Sequence, residues 1–492
     1  MRAGAWLQNS VQRLLGNVGA ASAKPSTTQE SKPQTVLAPR VLPVPPRALR
    51  KPLLHLQSIV DTKVSEVEGG RRAESFSIWY AGLEQANKEE VWLLMSEYFG
   101  PDVTEVSGAR QAYEEALGTA DEGTAEIRLR RSLISPRTRL LQRFAAYSGG
   151  MRFLVDLRAQ ILPHLKSNKR LVALDAELEQ LFSTWFDVAF LELRRLSWDS
   201  PASLVEKLIQ YEAVHDIRSW GDLKNRLDSD RRCYGFFHPS LPNEPLIFVE
   251  VALLNDIADS ITPLLDESAA AQDIKKSTVA IFYSISNTQT GLKGVSFGDS
   301  LIKRVVQVLK DEFIKLRVFA TLSPIPGFRT WATKNIEELW SHLDAKELAA
   351  LGRAMGKELK DDKDPKEGKD TKAVKELPTA QDFLAISEQA LTWDEKSPLR
   401  IFMTRCAATY LGASKVGSSP ADAVARFHLS NGARIERLNW GADPSTKGMR
   451  QSWGLMVNYL YDLKRLDKHR RALNAGSIPA SPAVEDLIIK LK

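Results

Sequence analysis

The run TVAIFYSIS at residues 278–286 is β-branched, aromatic and free of charge, the pattern of a strand buried on both faces. The loop NTQTGLKGVSFG (287–298) follows, then a helical pattern over residues 299–313 and a second strand, LRVFATL (316–322). Strand, loop, helix and strand in that order form the unit of a mixed α/β sheet.

Upstream, residues 233–237 and 246–253 flank a turn-rich stretch and read as a hairpin, with short helical pieces at 204–214 and 220–227. Before Asp199-Ser-Pro201 the texture is helical: stripes run through Phe76, Tyr80 and Leu83, through Val91, Leu94, Met95 and Tyr98, and through Leu171, Leu174, Leu178 and Phe182. Gly100-Pro101 and Gly149-Gly150 interrupt them, and no strand-like alternation is expected there. Downstream, KDDKDPKEGKDTK (360–372) is a solvated mixed-charge loop, and residues 460–473 read as a basic helix. The fold class is therefore α+β, an N-terminal all-helical bundle followed by a mixed α/β domain, with boundaries at 71–196 and 197–492.

Composition agrees: the chain has 492 residues, 43% hydrophobic and 26% charged, enough for two or three soluble domains. No stretch reaches the ~18 consecutive apolar residues of a membrane span. Two cysteines, Cys233 and Cys406, cannot build a disulfide framework, and no His/Cys/Asp cluster has metal-ligand spacing. Residues 1–55 carry eight basic side chains against one acid, Glu30, whereas the rest carries 59 basic and 60 acidic groups. The near-neutral body argues against a nucleic-acid surface. Residues 1–70 read as a leader outside the fold: Leu7, Val11, Leu14, Leu15 and Val18 form an acid-poor stripe, which suits either a mitochondrial import signal or a disordered bacterial extension.

Gly291, Gly294 and Gly298 precede the 299–313 helix, where backbone N–H groups and the helix end can cradle a pyrophosphate. The loop lacks the G-K-[ST] of a P-loop and the G-x-G-x-x-G of a dinucleotide fold, and taken alone such glycines more often form a plain turn. His428, between Phe427 and Leu429, reads alone as a core histidine, and Ser323, before Pro324, as a turn residue.

Together, FYSISNTQTGLKGVSFGDSLIKRVV (282–306), LSPIPGF (322–328), FHLSNGARIERLNW (427–440) and GLMVNYLY (454–461) resemble the malonyl-CoA decarboxylase family in order, spacing and wording. The resemblance implies a helical N-terminal domain used in oligomerisation and a catalytic domain of the Gcn5-related acetyltransferase fold. It also implies conversion of malonyl-CoA to acetyl-CoA and carbon dioxide with no metal or organic cofactor, in a homodimer or homotetramer. By resemblance Ser323 and His428 are catalytic. Lys293, Gly294, Val295, Ser296, Phe297, Gly298 and Asp299 form the CoA loop, and Ser284 and Tyr461 belong to the substrate site. Ser296 stands where animal relatives carry a glutamate, so no role of that carboxylate transfers. Two other readings share the CoA loop: an acyltransferase, and a non-catalytic acyl-CoA-binding protein. Location follows the source, the cytoplasm in a bacterium or the mitochondrial matrix in a eukaryote.

Overall fold

The computed structural model describes residues 47–295, 301–357 and 378–490. The stripe at residues 7–18, most of the 1–70 leader, the 360–372 run and residues 296–299 of the glycine loop lie outside them.

The main sheet is built from β1 (Glu192–Leu196), β2 (Arg231–His238), β3 (Leu241–Leu254), β4 (Val279–Asn287), β5 (Val318–Thr321) and β6 (Ser323–Pro324); β7 (Lys415–Val416) and β8 (Ser419–Pro420) form a separate small hairpin, and β9 (Arg434–Asn439) and β10 (Met456–Leu460) complete the main sheet. Strands β1 to β4 pair antiparallel in sequence order, β4 and β5 are parallel, and β10 lies between β5/β6 and β9. The 278–286 reading is met within one residue by β4, whose residues 279–284 are buried. A bulge places Tyr283 between the pairs Glu250↔Ser284 and Val251↔Phe282, which bends β4 midway. The β4–β5 register runs from Val279↔Val318 to Phe282↔Thr321. Beyond it β6 turns to β10, pairing Ser323 with Val457, and the C-terminal half of β4 is left without a strand on that side. A cleft opens there.

The helical unit precedes the sheet and its boundaries move in two places. Helix Arg47–Val60, assigned to the leader by its proline and basic content, buries Leu53, Leu56 and Ile59 at helical spacing and so joins the core. At the other end Glu192–Leu196, expected to be helical, is an edge strand in register with Cys233 to Phe237. Residues 456–460 form β10, and the C-terminal basic helix begins later, at Leu466–Asn474. Helix Gly150–Ile161 lies against the Thr290–Leu292 turn, which brings the helical unit to the rim of the cleft. No helix among the described residues is long and apolar enough to cross a membrane.

Candidate active site

The strand from β5 to β6 breaks at Leu322, whose N–H bonds the Phe282 carbonyl, and Pro324 and Pro326 stiffen the exit. This break carries Ser323 into the cleft. Helix Ala423–Ser430 supplies the opposite wall. Its N-cap, Asp422, accepts the N–H groups of Val424 at 2.9 Å and Ala425 at 2.8 Å, which fixes the start of this short helix. Ala425, His428 and Leu429, at i, i+3 and i+4, form its buried face.

Ser323 and His428, 105 residues apart, meet with Oγ and Nε2 at 3.2 Å. The other ring nitrogen, Nδ1, is 2.8 Å from the Tyr461 hydroxyl, and the ring stacks on Tyr459 with centroids 4.6 Å apart. The Ser323 hydroxyl donates to Thr321 Oγ1 at 2.9 Å, and that oxygen also accepts the Tyr459 N–H at 3.1 Å. With Ser323 donating to Thr321, the consistent pattern has Nε2–H donating to Ser323 and Tyr461 donating to Nδ1. Tyr461 donates its own N–H to the Phe319 carbonyl, which places it beside β5. Burial lowers the His428 pKa from 6.5 to about 3 and raises that of Tyr461. A histidine of near-neutral pKa, the ordinary expectation for this side chain, is thus corrected to an uncharged imidazole in the free protein.

Ser323 and His428 border a cavity of about 340 Å³, whose wall also includes Phe282, Ile285, Val295, Leu301 and Val214. None of its described lining residues is charged. Its polar groups are Ser323, His428, Asn287, Ser430, Asn431 and Tyr283.

The other expected residues lie around this centre. Lys293 and Gly294 are exposed and Val295 is buried against the cavity, while residues 296–299 are outside the described set. Gly294 adopts φ +84°, the left-handed conformation that favours glycine. Ser284 is not part of the cavity wall, although Tyr283 and Ile285 on either side of it are. Its hydroxyl donates to Glu212 at 2.7 and 2.8 Å. Glu212, which sequence reasoning missed, also accepts from Ser286 Oγ at 3.0 Å and from the N–H groups of Val214 and His215 at 2.8 and 2.9 Å. Lys447 Nζ donates to the Val214 carbonyl at 2.9 Å, so this piece of the cavity wall is held from two sides. No local pattern announced Glu212, because its hydroxyl partners come from a strand more than 70 residues away.

Comparison with known proteins completes the picture. The model of the malonyl-CoA decarboxylase C-terminal domain matches residues 189–492, and that of the N-terminal domain matches residues 99–186. The chain belongs to the malonyl-CoA decarboxylase family. It is 37% identical over 433 residues to the mitochondrial malonyl-CoA decarboxylase of Anser anser anser, covering 84% of this chain and 82% of that one. The mouse (Mus musculus) relative is 34% identical over 445 residues, 85% of each. Among solved structures, malonyl-CoA decarboxylase from Rhodopseudomonas palustris superposes with a TM-score of 0.72 at 38% identity, covering 89% of this chain and 99% of that one. The family member from Agrobacterium vitis gives 0.73 at 35% identity with the same coverage.

Proposed function

We propose that this chain is an enzyme that decarboxylates malonyl-CoA to acetyl-CoA and carbon dioxide. The observation that carries this reading is the Ser323–His428–Tyr461 chain of hydrogen bonds beside a cavity whose described lining carries no charge. The family of its relatives, named for this reaction, supports it.

The reaction breaks the bond between the malonyl carboxylate and its α-carbon. Carbon dioxide leaves, and the electron pair passes to the neighbouring thioester carbonyl as an enolate, so the substrate itself provides the electron sink. In a cavity walled by apolar groups the carboxylate loses hydration that no lysine or arginine of the described lining replaces. Moving the charge onto the thioester oxygen brings it within reach of hydroxyl and imidazole donors, which favours the transition state over the bound substrate. Ser323 bonds the carboxylate or relays a proton. His428 supplies the proton that the α-carbon takes up. The imidazole is neutral at rest; the substrate anion beside it raises its affinity for a proton, which it takes from water, and the ring returns to neutral when that proton passes to the α-carbon. Tyr461 on Nδ1 fixes the ring and its tautomer.

The glycine turn and the residues after it hold the CoA arm. The helical unit serves oligomerisation; Val67 and Ile78, 70% and 71% exposed on one of its helices, support this use, and size-exclusion chromatography with light scattering tests it. The site of action follows the source cell, the mitochondrial matrix or a bacterial cytoplasm.

Incubating the purified protein with malonyl-CoA alone tests the function. Acetyl-CoA and carbon dioxide form in equal amounts with no second substrate. If nothing forms until an acyl acceptor is added, the acyltransferase reading replaces this one.

A further inference from the structure

We infer that Arg158 of the helical unit is a positioning residue for acyl-CoA, setting the glycine turn from outside the sheet domain; the inference rests on the substrate proposed above. At Gly291 a Cβ atom would stand 1.9 Å from the Val155 carbonyl oxygen, so only glycine lets the turn reach helix Gly150–Ile161. Arg158, one turn further along that helix, is 1% exposed. Its Nη1 donates to two turn carbonyls, Gly291 at 2.9 Å and Lys293 at 2.8 Å. From helix Val172–Trp185, Asp175 accepts from Nε at 2.8 Å and Glu179 from Nη2 at 3.3 Å. The guanidinium is thus planted by one helix, aimed by a second, and committed to the loop. Arg152, on the same helix, adds a bond to Gln289 at 2.6 Å just ahead of the turn.

The consequence for binding follows from peptide geometry. None of the described peptides is cis, and in a planar trans peptide the C=O and N–H point in opposite directions. Holding the Lys293 carbonyl on Arg158 therefore turns the Gly294 N–H away from the helical unit. Among the described residues that N–H has no partner. Val295, the next residue, forms part of the cavity wall. One cation thereby orients a backbone donor unpaired among the described residues and an adjoining piece of wall. A phosphate oxygen of the CoA arm is the chemistry this donor fits. The reacting acyl group lies with Ser323 and His428, so Arg158 governs the hold on the arm and leaves the chemical step alone.

The test compares malonyl-CoA with malonyl-N-acetylcysteamine, which has the same thioester and no nucleotide, using wild type and Arg158→Lys. A lysine keeps the charge but cannot serve two carbonyls and two carboxylates with one planar fork. The expected result is a KM for malonyl-CoA raised roughly 10- to 100-fold, kcat within about 2-fold, and an unchanged kcat/KM for the short thioester. Parallel losses on both substrates, or an unchanged KM for malonyl-CoA, overturn the inference. Should Arg158→Lys fail to fold, Asp175→Asn, which loosens the aim of the guanidinium, gives the same split or refutes it. Calorimetric titration with CoA needs no turnover: weakening by about 10-fold or more in Arg158→Lys supports the inference, and an unchanged Kd rejects it. A wild type that releases no carbon dioxide from malonyl-CoA defeats the functional reading alone, because the CoA titration still judges Arg158.

Discussion

His428→Asn should change the pH dependence of folding in a way that can be worked out in advance. Burial lowers the imidazole pKa from 6.5 to about 3, so between those values the unfolded chain binds a proton that the folded protein refuses. Stability from this residue is therefore present above the unfolded pKa and falls as pH drops toward the folded one. Each unit of pH inside that window changes the free energy by up to about 1.4 kcal/mol. Between pH 7 and pH 5 the sum is about 2 kcal/mol, allowing for partial titration near 6.5. The asparagine variant lacks the group, and a stability offset common to all pH values does not affect the test. The quantity to read is the difference between wild type and variant. Urea unfolding followed by tryptophan fluorescence at pH 7, 6 and 5 gives it, and carboxylates common to both proteins cancel. His215, lowered to about 4 chiefly by burial, remains in both and cancels as well. The difference should move by about 2 kcal/mol toward the variant as pH falls from 7 to 5. A flat difference over that range would mean that the folded protein accepts the proton as readily as the unfolded chain, and the picture of a neutral buried imidazole would be wrong.

Three further outcomes are expected. Tyr461→Phe keeps the ring but removes the hydroxyl from Nδ1; kcat should fall roughly 10-fold or more with little change in KM, and equal movement of both would reassign Tyr461 to binding. Ser284→Ala should cost about 1 to 3 kcal/mol in urea unfolding, because its hydroxyl is spent on the Glu212 carboxylate; a large loss of kcat at unchanged stability would place the serine on substrate instead. Ser430→Lys puts an ammonium at the exposed mouth of the cavity, where it should lower KM and kcat together by holding the malonyl carboxylate in its charged form; a rise in kcat would contradict the desolvation argument.

What could be read beforehand divides along physical lines. β4 was legible because a strand buried on both faces needs an unbroken apolar run, and few other structures accept TVAIFYSIS. The helical stripes through Phe76, Leu94, Leu174 and Leu178 were legible for the same kind of reason, and all four are buried. Helix Arg47–Val60 was obscured by Pro52 and its basic neighbours, although Leu53, Leu56 and Ile59 already carry the spacing. β1 and β10 are five residues each, too short for periodicity to separate them from the helices beside them. The pairing of Ser323 with His428 came from family resemblance, since each alone reads as an ordinary turn or core residue. Glu212, Arg158 and Thr321 were not legible at all. Their partners are set by tertiary convergence, and a single Glu, Arg or Thr in a helical or strand pattern carries no local mark of it.

The same convergence explains why the site needs two units. Decarboxylation asks for weak solvation of one end of the substrate and firm hold of the other. The sheet and helix Ala423–Ser430 provide the first: a cavity with no charge among its described lining residues and a neutral imidazole held between two hydroxyl groups. An apolar pocket cannot pull an anion into itself, so the binding energy has to come from atoms remote from the reacting bond. The turn at Gly291–Val295 is the described piece of backbone that reaches from the cavity wall toward the outside, and Arg158 fastens it to the helical unit. If the two units were uncoupled, the arm would lose its anchor and the carboxylate would stay in water, where it is stable. In the proposed mechanism the cavity and the helical unit act as one device, and a lesion at their junction should be felt first in substrate affinity.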